Sequence, residues 1–331
     1  MFKYIVKRIL LAILILFGVS MIIYSLVKLM PVNFIDDKFS AQLNQGTIKQ
    51  EEIDRMKELY GLSDNSFWGI VKGYFKWLGN VLKGDLGNSF KYEDKVSTVI
   101  FENMGISFGI AFVALILEFL IAIPLGVKAA VNQNGVIDYT SSVLAMIGTA
   151  LPTFFFAAIC IQLFSVQLGW FPISGQQSTL PSTASGFTRF MDQVWHLILP
   201  IFIMVFLSVG SLMRYTRTNT LDVLNADYIR TARAKGLPEN KVIYKHAFRN
   251  TLIPLVTLLA GTIPGLFSGA MITEQIFSIE GIGLKAYEAL KAGDIPFIMG
   301  YNMFLAILTV LGTLLADLMY AVVDPRVKLT K

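Results

Sequence analysis

Two carboxylates, Glu118 and Asp317, fall inside long apolar runs. An acid in hydrocarbon is costly and is held there by a partner or by a water-filled path, so each is a candidate for helix pairing or for contact with a polar solute. Glu118 stands in the middle of its run and Asp317 one to two turns from the end, where it can reach the interface or pair with a base; Gln162 and Asn302 are weaker polar candidates of the same kind. The other chemistry-bearing stretch is "YIRTARAKGLPENK" (228–241), a run of cations interrupted by Gly-Leu-Pro. Catalytic groupings are missing: there is no G-x-x-x-x-G-K-[ST] phosphate loop, no H-E-x-x-H and no G-x-S-x-G. With His196 and His246 the only histidines and Cys160 the only cysteine, a metal centre, an internal disulfide and a cofactor site are not expected. The chain is not expected to hydrolyse ATP or to be an enzyme; energy for any work must come from a partner or an ion gradient.

The elements that must position these residues are set by lipid. Of the 331 residues 54% are hydrophobic and only 15% charged, against about 25% charged in soluble domains. Six segments are long enough to cross a hydrocarbon core of about 30 Å: residues 9–30, 105–127, 143–168, 196–213, 251–273 and 297–323. The first follows Lys3, Lys7 and Arg8 but is too long for a signal-peptide core and lacks a small-residue cleavage site, so it reads as a retained span. The expected fold is an all-α integral membrane protein of six transmembrane helices in a cell membrane. The formal charge of +5 does not indicate nucleic acid, because the bases sit beside apolar runs rather than on a soluble domain.

Lys and Arg in the short connections orient the spans. The 214–250 connector carries eight, Arg214, Arg217, Arg230, Arg233, Lys235, Lys241, Lys245 and Arg249, and the tail 324–331 three more. Residues 169–195 carry only Arg189, and 274–296 only Lys285 and Lys291. Both termini and the 214–250 connector are therefore expected in the cytoplasm. The chain then divides into four regions: 1–30, a cytoplasmic N-terminus and first span; 31–104, a mainly helical extracellular segment; 105–323, spans two to six; and 324–331, a cytoplasmic tail. In the outer segment "TIKQEEIDRMKELYG" opens with a capping-box pattern, Thr47 to Gln50, and is expected to stop at Gly61, with Ile53, Met56 and Tyr60 at helical spacing. A second helix is expected over 66–83, with Phe67, Ile70, Val71, Tyr74, Trp77, Leu78 and Val81 on one side, an aromatic-rich face suited to the headgroup level.

The basic connector reads as two helices and a hinge. Leu221, Leu224, Tyr228, Ile229 and Ala232 form one helical stripe. Asn225 can cap the part from 226 onward, Gly236 suits the left-handed position after a helix end, and Pro238 suits the first residue of a new helix, with Val242, Ile243 and Ala247 on its buried side. A loop that only fixed topology or touched anionic lipid would need charge but not this layout, which favours a protein-docking elbow. Within the fifth segment Gly261, Gly265 and Gly269 recur at every fourth place, a smooth face for close helix approach, and Pro264 should kink it.

"DYIRTARAKGL" followed by "HAFRNTLIP" resembles the cytoplasmic loop of ABC importer permeases, specifically the B-type subunit of the dipeptide/oligopeptide branch. The resemblance covers nearly the whole chain through "YFKWLGNVLKGDLGNSF" (74–90), "IAIPLG" (121–126), "LPTFFFA" (151–157), "LFSVQLGWFPISG" (163–175), "EQIFSIEGIG" (274–283) and "LMYAVVDPRVK" (318–328). The family's Glu-Ala-Ala, three residues, Gly pattern is matched by Arg230-Thr231-Ala232 and Gly236, without the acidic first residue, and Pro254 comes later than in sugar permeases. Glu280 stands where a proline commonly precedes the glycine pair, implying a local change in that turn. The resemblance implies an ABC importer subunit for di- or oligopeptides. Relatives also carry nickel chelates, glutathione or oligosaccharides. It implies a second, C-type permease, two cytoplasmic ATPases and an extracellular substrate-binding protein as partners. It assigns Asp227, Tyr228, Arg230, Thr231, Ala232, Arg233, Ala234, Lys235 and Gly236 to ATPase coupling, and leaves Glu118, Gly261, Pro264, Gly265 and Gly269 for the path or a helix interface. An ion-coupled transporter would need a midplane ion site and internal repeats, and a scaffold would leave the elbow without a purpose.

Overall fold

The computed structural model describes residues 2–28, 39–40, 43–59, 66–181 and 183–323. The helices are α1 (Phe2–Lys28), α2 (Gln50–Leu59), α3 (Phe67–Leu82), α4 (Val96–Val131), α5 (Val136–Ala150), α6 (Thr153–Cys160), α7 (Gly186–Leu224), α8 (Asp227–Ala234), α9 (Glu239–Lys241), α10 (Phe248–Leu266), α11 (Met271–Phe277), α12 (Ile282–Ala292) and α13 (Ile295–Val323). Four of them, α1, α4, α7 and α13, are long and apolar enough to cross a membrane, and α5 with α6 and its extension makes a bent fifth. The chain divides into two compact units, one of residues 1–104 with 285–311, the other chiefly residues 105–284.

In the first unit α3 packs its aromatic stripe on α1 rather than presenting it free to headgroups. Tyr74 and Trp77 are buried in one cluster with Tyr24, Ile295, Met299 and Met303. The Tyr74 hydroxyl pairs with Ser20 Oγ at 2.7 Å, and its ring meets Phe17 and Tyr24 edge-on. A buried Tyr hydroxyl usually finds such a partner; that of Tyr24, in the same cluster, has none among the described residues. Ser66 begins α3 by accepting the Gly69 N–H at 3.1 Å. The opposite side exposes Trp68, Phe75 and Leu82, so the aromatic residues serve two faces. Helix α2 begins at Gln50, three residues after Thr47. Ile53 is buried as expected, whereas the side chain of Met56, and Tyr60 and Gly61 altogether, lie outside the described residues.

The loop after α3 is tied to the start of α13. Asp294, fully buried, accepts hydrogen bonds from Ser89 Oγ, from Lys91 N at 3.0 Å and from Phe297 N at 3.1 Å, the last capping α13. Lys91 meets Glu288 at 2.5 Å, and the Tyr92 hydroxyl donates to the Lys285 carbonyl at 2.8 Å. The Lys91 ammonium beside it holds the Glu288 carboxyl below its ordinary range.

The second unit is built on α4, α5 and α7. The expected third span, 143–168, is broken at Pro152, one of the prolines that sequence marks as a bending point: α5 and α6 meet at 106°. Pro152 lacks an N–H and pushes the preceding residue out of the helical region, and Leu151 is indeed extended, at φ −82° and ψ 128°. Beyond Cys160 the chain continues as a π-helical stretch to Gln167. The expected fifth span also ends early. Helix α10 stops at Leu266, and Gly269, three residues on, lies outside any helix with φ +76°.

Helix α7 has 39 residues, about 58 Å at 1.5 Å per residue, roughly twice the hydrocarbon thickness. It is held by glycines on itself and its neighbours. A Cβ on Gly210 would lie 2.5 Å from the Ala145 carbonyl oxygen and 2.8 Å from its Cα; one on Gly148 would lie 2.8 Å from the Phe206 carbonyl, and one on Gly126 2.7 Å from the Met213 carbonyl. Where α5 begins, Asp138 is 4% exposed and receives both Nε and Nη2 of Arg217 from α7, at 2.5 and 2.7 Å. The Asn134 N–H completes its shell at 2.9 Å. A bidentate guanidinium–carboxylate pair adds geometric specificity as well as attraction. Arg217, counted from sequence only as an orienting charge, is thus a structural pin.

Gly210→Ala should destabilise the protein by about 1–3 kcal/mol through overpacking. Gly109→Ala in α4, where nothing lies within 4 Å of the added carbon, should instead stabilise it by up to about 1 kcal/mol. Thermal unfolding of the purified variants in one detergent reads both signs.

Candidate functional site

The basic connector folds as an elbow with its own small core. Ile229, Ala232, Val242 and Ala247 are buried together, flanked by Val223, Leu224 and Leu237, and Ile243 is buried as well. Helix α7 ends at Leu224, and Asn225 is its C-cap rather than the N-cap of α8; Ala226 precedes α8 and offers no side-chain cap. Leu221 and Leu224 therefore belong to α7, and Tyr228 is 48% exposed instead of joining the stripe. Helix α8 closes as the sequence implies. Gly236 takes φ +73° and donates its N–H to the Arg233 carbonyl at 2.9 Å, the left-handed exit that glycine adopts without strain. Pro238 then serves as the N-cap of α9, one place before the expected first position.

Across the Gly-Leu-Pro bend Arg233 Nη2 meets Glu239 Oε1 at 2.7 Å. This pair keeps the Glu239 carboxyl below its ordinary range. The clasp is therefore present at neutral pH and is lost only as the pH falls through that depressed value. From Val242 to Ala247 the backbone is π-helical before it enters α10. Of the coupling candidates, Asp227, Tyr228, Arg230, Thr231, Arg233, Ala234, Lys235 and Gly236 are exposed, and only Ala232 turns into the elbow's core. Arg230 reaches Asp227 at 3.8 Å in a well-solvated setting, an arrangement that contributes little to stability and leaves the rim available.

The intramembrane candidates separate. Glu118 is half-buried on α4 near Ser208 of α7, whose hydroxyl donates to the Val205 carbonyl at 3.2 Å. Gly261 and Gly265 stand on α10 with nothing within 4 Å of a built Cβ. Gly269 is not on their face: it lies past the helix end, where a Cβ would strike Gly283 N and crowd the Glu274 carboxylate. Pro264 falls in the last turn of α10, and the side chains of Pro264 and Asp317 lie outside the described residues.

A residue not singled out from sequence organises the "EQIFSIEGIG" turn. Glu274 is 1% exposed and accepts hydrogen bonds from Ser107 Oγ at 2.7 Å and from the N–H groups of Ala270 and Leu284 at 2.9 Å each. Ser107 in turn accepts the Ile282 N–H at 2.9 Å. A Cβ on Gly281 would strike both Glu274 and Ser107, and one on Gly283 would lie 2.8 Å from Met271 N. A buried carboxylate tolerates its surroundings only when its oxygens are this fully paired. In this turn Ser278 is left-handed at φ +51°, and the Gly281 N–H donates to the Ile279 carbonyl at 2.7 Å.

Residues 122–329 match the family model described as binding-protein-dependent transport system inner membrane component. The chain is 38% identical over 329 residues to the oligopeptide transport system permease protein AppB of Bacillus subtilis, covering 99% of this chain and 100% of that one. It is 32% identical to the dipeptide transport system permease protein DppB of Alkalihalophilus pseudofirmus, covering 99% and 100% respectively. A bent span, a 39-residue helix that outreaches the bilayer and a packed basic elbow at its far end thus belong to a multi-pass inner membrane component of a binding-protein-dependent transport system, the family of which this chain is a member.

Proposed function

We propose that this chain is the B-type transmembrane permease subunit of an ATP-binding-cassette importer for di- and oligopeptides. The observation that carries the coupling part is the elbow: a self-packed, clasped unit with an exposed cationic rim at the end of α7. The peptide class rests on the full-length similarity to AppB and DppB. In this reading the chain crosses the membrane six times, with α10 as the short fifth crossing and both termini in the cytoplasm. It pairs with a dissimilar C-type permease, two cytoplasmic ATPases and an extracellular binding protein. Residues 31–104 form the outer helical segment.

The work comes from stiffness. Two ATPases closing on ATP press elbows of the two permeases together. Force applied to α8 passes through Ile229 and Ala232 to Val242 and Ala247, and so into α7 on one side and α10 on the other. A floppy connector would absorb the stroke as loop motion. An elbow that has buried its apolar face and closed its bend by an ion pair moves as one body. Asp227, Tyr228, Arg230, Thr231, Arg233, Lys235 and Gly236 form the contact surface, and Ala232 keeps that surface seated. Inside the membrane, Glu118 faces the path, and the open Gly261 and Gly265 face the second permease.

Gly236→Leu should insert and fold yet lose ATP-driven uptake at least ten-fold, whereas Gly236→Asn, a residue that tolerates the left-handed conformation, should keep most of it. Uptake into vesicles holding all partner subunits, beside the amount of inserted chain, measures both. Glu118→Gln should lower uptake several-fold while copurification of the partner subunits stays unchanged.

A further inference from the structure

The end of α3 and the turn after it border a half-open cleft of about 590 Å³, within the usual range for small-ligand sites of roughly 300–1,000 Å³, with Lys83, Asp85 and Lys95 exposed at its rim. Its lining mixes both signs of charge: the carboxylate-bearing Asp85 with Lys83 and Lys95, beside the amide of Asn80, the hydroxyl of Ser97 and the indole of Trp77. The turn is built to hold this shape. Gly84 and Gly87 take φ +82° and +87°, and Asp85 N–H reaches back to the Asn80 carbonyl at 3.0 Å. Asp85 spends one oxygen on the Gly87 N–H at 2.9 Å, and its other oxygen is unpaired among the described residues. Among those residues the ammonium groups of Lys83 and Lys95 have no carboxylate partner either, although Asp85 lines the same cavity. Oppositely charged groups that share a cavity without pairing suit a ligand that carries the complementary charges at its two ends.

We propose that this cavity binds a free short peptide as a zwitterion, with its α-ammonium at Asp85 and its α-carboxylate at Lys83 and Lys95. Asn80 and Ser97 would meet the peptide's amide groups, and Trp77 would form the apolar wall. The proposal rests on the peptide-importer reading and adds to it a waiting site on the outer segment of the permease itself. The same paired charges occur in a phosphoethanolamine headgroup. The amide-bearing wall favours the peptide, and the test separates the two.

The experiment is calorimetric titration of the full chain in phosphatidylcholine nanodiscs with trialanine, N-acetyl-trialanine, trialanine amide and glycerophosphoethanolamine. Trialanine should bind, and each blocked peptide should bind about ten-fold more weakly, the scale of losing one charge-assisted contact. Asp85→Asn should weaken trialanine by the same factor and make acetylation immaterial. Lys83→Gln with Lys95→Gln should do the same for amidation. No binding, equal binding of all three peptides, or variants that leave the pattern unchanged would overturn the site, as would tighter binding of glycerophosphoethanolamine. Trialanine uptake by the reconstituted importer, measured beside it, keeps the two readings apart. Uptake without cavity binding removes only the site, and absence of uptake with any peptide removes the importer reading itself.

Discussion

The structure depends on how closely α7 can approach α4 and α5. Lipid offers no hydrophobic drive for one apolar helix to prefer another, so the contact has to come from surfaces that fit and polar groups that pair. Gly126, Gly148 and Gly210 remove the side chains that would separate the helices, and Asp138 with Arg217 fixes rotation and register at one end. Breaking such a pair by removing one partner strands a desolvated charge. Helix α7 is thereby held along its length, and the elbow at its far end is held with it. In the proposed coupling, the elbow delivers force only because its lever is anchored.

The elbow's own design answers a second constraint. A helix that must stop, turn and restart within a few residues needs a left-handed exit and a residue that cannot continue the ladder, and Gly236 and Pro238 meet the two needs in order. Burial of Ile229 and Val242 packs the turned segment, and the solvent-exposed Arg233–Glu239 pair spans its bend. The cations at its rim stay in solvent, where keeping their charge carries no desolvation cost.

Much of this is legible in the sequence, and the parts that are not have physical causes. Gly236 is readable because a positive φ after a helix is a local demand. The four long helices are readable because each contains a long apolar run, but their length is not: the run at 196–213 marks less than half of the 39 residues of α7. The place of the bend at Pro152 is readable but its size is not, since a proline inside an apolar run can either kink a helix or end it, and the neighbours decide. The glycines mislead for a related reason. The regular spacing of Gly261, Gly265 and Gly269 suggests one face, but the helix ends before the third, while the close contacts use glycines on three separate helices. Glu274 and Asp138 are invisible as functional groups because their partners lie far along the chain. Ser107 precedes Glu274 by 167 residues and Arg217 comes 79 after Asp138, distances at which sequence carries no pairing signal. Glu118, by contrast, announces itself by being an acid in the middle of an apolar run.

The most direct measurement is recovery of the ATPase subunits on this chain from membranes that express the whole system, with residues 227–236 intact or replaced by a Gly/Ser segment of equal length. The coupling account requires an ATPase pair on the intact chain and its loss from the replaced one, with both chains equally inserted. Solute uptake into sealed vesicles by this chain with no ATPase bound would contradict it.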